Sequence, residues 1–187
     1  MINSKKDLKE YIQADKSKYN LRHSCLFRKI IQTEAHCVVR YLKCLRHLEY
    51  HINCTKSKSL YGKLMYAYYS VKESRLSAKY KIRIQPNVVG KGLYIPHFTG
   101  GVIINAAKMG ENCIVNTGVV IGIKGSQQNK PEIGDNVEIT VGAKIIGKIK
   151  IGNNVAIAPN SVVIGDVPDN AIVSGVPAKI IKIKNNN

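Results

Sequence analysis

Between Ile103 and Val163 an aliphatic side chain returns every six residues: Ile103, Met109, Val115, Ile121, Ile133, Ile139, Ile145, Ile151, Ile157 and Val163. Of the eleven positions in that register only Gln127 is polar. Four residues after each beat runs a second, small or aliphatic series: Ala107, Cys113, Val119, Val137, Ala143, Ile149, Val155, Ser161 and Val167. Glycine often follows the beat, at Gly110, Gly122, Gly134 and Gly152. A helix repeats about every 3.6 residues and a half-buried strand every two, so neither produces a period of six. A parallel β-helix does, because each triangular turn takes three hexapeptides and points every beat into a narrow core.

Before residue 82 the pattern is helical. In the run from Phe27 to His51, the residues Phe27, Ile31, Val38, Leu42, Leu45 and Leu48 fall close to one face at helical spacing. A further helix is predicted from Ser59 with Leu60, Leu64, Ala67, Tyr68 and Val71 as its apolar stripe, and a shorter one over Lys6 to Lys16 carrying Leu8, Tyr11 and Ile12. The expected organisation is α+β: a helical N-terminal region over 1–81, then a parallel β-helix of hexapeptide repeats with a C-terminal tail over 82–187. The repeat breaks twice. Ile95 to Ile103 is eight residues, the two extra lying in Pro-His-Phe-Thr-Gly-Gly, so a bulge is expected there. Residues 122–131 are polar and rich in breakers, which predicts a loop leaving the coil. Such departures from a repeat are where chemistry is expected.

Charge changes the picture in one half only. Residues 1–83 hold 19 basic and 6 acidic side chains, against 10 and 6 in 84–187. No helix-turn-helix, zinc-finger or RNP-type signature accompanies this excess, so it is read as solvated helix surface and no nucleic-acid partner is expected. Five cysteines form no CxxC and leave an odd number, which argues for reduced thiols. The charged start, Met-Ile-Asn-Ser-Lys-Lys-Asp, lacks the apolar stretch of a secretory signal, and no run approaches the roughly 20 residues of a membrane span. A cytoplasmic protein without an integral membrane segment is expected.

His97 is the candidate catalytic residue. Of five histidines it alone lies in the β-helical part, inside the bulge, and a neutral imidazole can take a proton from a hydroxyl. A loop histidine that merely caps backbone groups is the competing reading. His47 and His51 have the spacing of a zinc-binding helix, but Glu49 is one position late for HExxH and no third ligand is evident. They are read as helix-surface or interface residues, and no metal is expected. Cys113, on the inward series, is read as a small core residue. With no Walker A, GxGxxG or GxSxG motif, phosphate binding falls to lysines and exposed amides: Lys124 in the loop, and Lys179, Lys182 and Lys184 at the end of the coil.

These segments carry a resemblance. Arg83 to Asn105, with its His-Phe-Thr-Gly, resembles the DIHPxAxIGxGxxxDHxTGxVIG segment of serine acetyltransferases, and Pro131 to Val163 together with Gly-Val-Pro-Ala-Lys is similar to the rest of that enzyme's coil. The helical part is similar to that of short serine-acetyltransferase-like proteins of exopolysaccharide and capsule gene clusters. The resemblance implies a left-handed coil, a homotrimer or dimer of trimers, and acetyl-CoA as co-substrate lying between neighbouring subunits. It places the catalytic base on His97 and co-substrate contacts on Gly122, Val141, Gly142 and Pro159, with Lys179 near the nucleotide phosphates. Arg83, Asn116 and Lys130 fall on the acceptor side. The implied activity is transfer of an acetyl group to the hydroxyl of L-serine or a related small acceptor. The family's aspartate that orients the histidine is replaced by Arg83, the one just before it by Pro96, and a second histidine by Lys130. His97 is therefore expected to lack an orienting carboxylate. A sugar hydroxyl of a surface-polysaccharide precursor stays open as acceptor, as does a catalytically silent scaffold.

Overall fold

The computed structural model describes residues 1–19, 33–55 and 59–184. Among the described residues three α-helices lead: α1 (Lys5–Ser17), α2 (Glu34–Tyr50), which runs on into a π-helical turn over His51–Thr55, and α3 (Leu60–Tyr80). Local chemistry sets their ends. The Ser4 hydroxyl accepts from the Asp7 amide while the Asp7 carboxylate accepts from the Asn3 amide, closing the start of α1 reciprocally. The Ser59 hydroxyl caps α3 at Gly62, and Lys81, at φ 55°, ends that helix in the left-handed region.

The strands then wind into three parallel sheets. One holds β1 (Ile82–Ile84), β2 (Val102–Ile104), β5 (Val120–Gly122), β8 (Lys144–Ile146) and β11 (Val162–Val163), and is called face A. Face B holds β3 (Lys108–Met109), β6 (Glu132–Ile133) and β9 (Lys150–Ile151). Face C holds β4 (Ile114–Val115), β7 (Glu138–Ile139), β10 (Ala156–Ile157), β12 (Ala171–Gly175) and β13 (Ala178–Ile183). Lys144 pairs with Val162, a regular turn of eighteen residues. Val120 pairs with Lys144, and the six residues in excess there are the loop expected at 122–131. Among the described strands only β13 runs antiparallel, folding back on β12 through Val176 and Pro177 to close the coil. One corner is turned by Asn112, Asn136, Asn154 and Asn170, all at positive φ, a conformation asparagine tolerates better than most residues.

The six-residue beat faces the core at every aliphatic position but one. Met109, Val115, Ile121, Ile133, Ile139, Ile145, Ile151, Ile157 and Val163 are buried, whereas Ile103 is 43% exposed and its neighbours Val102 and Ile104 are buried. Ile104, not Ile103, stacks beneath Ile84 and above Ile121. The bulge after Ile95 is therefore longer than expected, and the chain gives one residue back between Ile104 and Met109. With that shift Ala106 replaces Ala107 on the inward series.

The helices cap the open first turn of the coil. Arg46 is fully buried, paired with Asp15 at 2.8 Å and Glu49 at 3.0 Å, and donates to the Val89 and Gly90 carbonyls. Coil amides that no further turn pairs are taken up by helical side chains: Gly92 and Leu93 by Asp15, Asn87 by Glu49, Ile95 by the Tyr19 hydroxyl and Ile84 by the Tyr41 hydroxyl.

The stripe expected to bury α3 points outward: Leu60, Leu64, Tyr68 and Val71 are each more than half exposed, and Ala67 is exposed with them. The helix packs through Gly62, Tyr69, Glu73, Leu76 and Tyr80 instead. Gly62 is required there, since a Cβ would stand 2.0 Å from the Thr55 carbonyl oxygen. The Tyr69 ring stacks on both His47 and His51, at 4.9 and 5.3 Å between centroids, so these histidines serve an interface. Val38, Leu42, Leu45 and Leu48 of α2 are buried as expected; Phe27 and Ile31 lie outside the described residues.

Candidate active site

The bulge is a built corner. After the Tyr94 bridge to face C the chain turns through Pro96, His97, Phe98, Thr99, Gly100 and Gly101 to reach face A. The Gly101 amide donates to the Phe98 carbonyl at 2.7 Å, and the Gly100 amide to the Thr117 hydroxyl at 2.7 Å. Phe98 lies against the Tyr80 ring, 5.6 Å between centroids, tying the corner to α3. His97 stands outward, its side chain 65% exposed, with Nδ1 2.7 Å from Oε2 of Glu34, the first residue of α2. The expectation that His97 lacks a carboxylate partner is overturned: the carboxylate comes from the helical region, 63 residues away in sequence. An ionised carboxylate only accepts hydrogen bonds, so Nδ1 carries the proton and the neutral ring keeps its lone pair on Nε2.

Beside this corner a cleft of about 850 Å³ opens between α3 and face A. Ser74, Ser77, Lys81, Arg83, Gln85 and Lys144 give it its polar and cationic lining, and Gly100 and Gly101 of the bulge form part of its wall. His97 does not line it; the bulge reaches the cleft through Gly100 and Gly101. Burial holds the Glu73 carboxyl above its ordinary value, against the opposing effects of the hydrogen bond that the Tyr41 hydroxyl donates to it at 3.0 Å and, less, of Arg83, which projects outward from β1. The ammonium of Lys144 donates to the Gly118 carbonyl.

The other sequence-selected residues fall into two groups. Val141, Gly142 and Pro159 stack below the bulge along the same corner: the Gly118 amide bonds the Gly101 carbonyl, the Gly142 amide the Thr117 carbonyl, and the Asn160 amide the Val141 carbonyl. Glycine is needed at this corner, because Gly142 has φ 73° and a Cβ there would meet Asn160 Oδ1 at 2.1 Å. Asn116 immediately precedes the corner and bonds the Ile139 carbonyl. Gly122 and Lys124 lie across face A, where the loop leaves, with the Lys124 stem against Gly147. Lys130 reaches back from that loop to Gln85 at 2.9 Å. Lys179 sits apart, on β13, exposed. Within one chain the bulge edge and the loop edge flank face A without meeting.

Sequence reasoning missed Glu34, Ser74, Ser77, Lys81 and Lys144. Glu34 looks in sequence like any acid in a first helical turn, and nothing local ties it to His97. Among the described residues no group of three or more His, Cys, Asp or Glu side chains could hold a metal, and no helix is long and apolar enough to cross a membrane. Cys113 is fully buried, and burial pushes its thiol up to about 11.

No protein-family model matches the chain. In sequence it is 44% identical over 104 residues to the serine acetyltransferase of Staphylococcus aureus, covering 54% of this chain and 49% of that protein, with the same figures for the serine acetyltransferase of Staphylococcus epidermidis. The chain thus spans about half the length of the curated relatives it matches. In structure it is similar to the serine acetyltransferase of Neisseria gonorrhoeae, with a TM-score of 0.71 and 28% identity over 97% of this chain and 67% of that one. It is also similar to the serine acetyltransferase of Brucella abortus in complex with coenzyme A, with a TM-score of 0.71 and 27% identity over 98% and 71%. In sequence over about half of its length, and in fold over nearly all of it, the chain is serine acetyltransferase-like, a helical region followed by a left-handed parallel β-helix of hexapeptide repeats.

Proposed function

We propose that this chain moves the acetyl group of acetyl-CoA to a hydroxyl, that of L-serine or a related small acceptor, with His97 as general base. The observation that carries the reading is the imidazole itself: Nδ1 engaged by a carboxylate and Nε2 without a partner among the described residues, in the bulge of a fold shared with serine acetyltransferases. Nε2 takes the proton as the acceptor oxygen bonds to the thioester carbonyl carbon. The carbon–sulfur bond then breaks, and the same proton passes from Nε2 to the departing thiolate.

Co-substrate binding is assigned to Gly122, Lys124, Val141, Gly142, Pro159 and Lys179. Their residue types suit a polyanion with a pantetheine-like arm: cations for phosphates, and exposed backbone and a valine for the thin chain. Because these residues occupy separate edges of one chain, a groove that uses both is completed by a neighbouring copy, which supports a homotrimer or a dimer of trimers. Exposed Val141, Ile164, Val176, Ile180 and Ile181 give such copies apolar surface to bury. A second reading keeps the chemistry and changes the acceptor. The cleft is far larger than serine and carries Lys81, Arg83 and Lys144 against Glu73, which suits an anionic sugar derivative.

The test is thiol release from acetyl-CoA with serine and with nucleotide sugars as acceptors. The parent should release thiol with one of them, and His97→Ala should slow transfer on the order of 100-fold or more while leaving folding and CoA binding intact. A His97→Ala variant as active as the parent overturns the mechanism. A parent silent on every acceptor favours a scaffold.

A further inference from the structure

The geometry points to Glu34, supplied by the helical region, as the positioning residue that fixes the tautomer and orientation of His97 in place of the carboxylate missing at Arg83. The inference rests on His97 being the base. Three observations carry it. The Nδ1 to Oε2 distance of 2.7 Å is that of a charge-assisted hydrogen bond, and its sense is fixed because a carboxylate has no proton to give. Arg83, where the resemblance expects an aspartate, is a cation and lines the cleft together with Glu73, so it supplies no carboxylate to the ring. And α2 is not free to drift: Arg46 binds the Val89 and Gly90 carbonyls and Tyr41 binds the Ile84 amide, so Glu34 is presented by a helix anchored to the same first turn of the coil that carries the bulge.

A stabilising ion pair is the competing account, and magnitudes argue against it as the pair's main effect. His97 is 65% exposed and Glu34 about one third, and exposed pairs contribute roughly 0–1 kcal/mol. A carboxylate in the first turn of a helix is favoured by the helix dipole, but that preference does not aim it at an imidazole. What the pair does change is the ring. A free neutral imidazole in water prefers the proton on Nε2, the wrong nitrogen for a base whose Nε2 must accept. Glu34 holds the proton on Nδ1, and it stays ionised opposite the imidazolium formed while Nε2 carries the acceptor's proton. No proton passes to Glu34.

The experiment combines kinetics with ¹⁵N NMR of histidine-labelled protein. In Glu34→Ala, kcat should fall on the order of 10-fold or more with KM for acetyl-CoA unchanged, and the melting temperature should stay at the parent value. Glu34→Gln, which keeps an acceptor oxygen but not the charge, should fall between the two. At a pH where the ring is neutral, the His97 nitrogens should show Nδ1 protonated in the parent and a shift toward Nε2 protonation in Glu34→Ala. A Glu34→Ala variant with parental kcat, or with an unmoved tautomer, overturns the inference. A parent that transfers no acetyl group overturns the proposed function instead, and the tautomer measurement still decides whether Glu34 sets the ring.

Discussion

Arg46 and Glu34 lie on one face-crossing helix, three turns apart, and burial gives their ion pairs opposite consequences. Glu34 meets His97 in water, where its removal should leave stability nearly untouched. Arg46 has no exposed surface, and two carboxylates and two backbone carbonyls converge on its guanidinium. Asp15 and Glu49 in turn hold three amides of the first coil turn, so the cluster seals helix to coil through one cation. Arg46→Ala would strand two buried carboxylates and should destabilise the protein by about 3–5 kcal/mol, read as a fall in the urea midpoint. An unshifted midpoint would mean that Asp15 and Glu49 find their charge partner elsewhere. In sequence Arg46 was one of many basic residues in the N-terminal half, and nothing in the pattern singled it out. A buried cation is recognisable only once its partners, from three separate segments, stand around it.

At the scale of elements, the sequence discloses what repeats and conceals what is decided by packing at one place. Nine beats from Met109 to Val163 are legible because a triangular coil has a core only one side chain deep, and every sixth residue must fill it. Ile103 is misassigned because Val102, Ile103 and Ile104 are all aliphatic, so either register reads as apolar; the length of the bulge decides between them. The same ambiguity explains α3, whose Leu60, Leu64, Tyr68 and Val71 stripe is the more apolar by pattern. The seam actually used is Tyr69 against His47 and His51, Glu73 against Tyr41, and Leu76. Aromatic stacking and a buried hydrogen bond carry no weight on a hydropathy scale. The register is testable by one pair of substitutions. Ile103→Lys should shift the melting midpoint little, within the range of ordinary surface changes, whereas Ile104→Lys should bury an unpaired ammonium and cost several kcal/mol or prevent folding. Equal sensitivity at the two positions would contradict the shifted register.

For the whole molecule, the candidate site is a meeting of parts that the chain keeps far apart in sequence. His97 was legible because it lies in one of the two places where the coil departs from its repeat, and a repeat has no structural need of a histidine there. Glu34 was not, since contact over 63 residues depends on how α2 docks. The bulge edge, with His97, Val141, Gly142 and Pro159, and the loop edge, with Gly122 and Lys124, are separated by face A within one copy. If the working groove joins the bulge edge of one copy to the loop edge of the next, two damaged proteins should repair each other. His97→Ala would remove the proposed base, and Lys124→Glu would set a negative charge where the proposal puts the co-substrate phosphates, weakening binding in a salt-dependent way. Each variant alone should be strongly impaired. Unfolded together and refolded as mixed oligomers, some grooves would take an intact His97 from one parent and an intact Lys124 from the other. Activity should then exceed the sum of the two variants refolded separately at the same concentrations, and the excess should vanish when each is refolded alone and then mixed. Activity no greater than that sum would place base and loop in the same copy, and the cationic residues of that loop would then have to reach the bulge across the outer surface of face A.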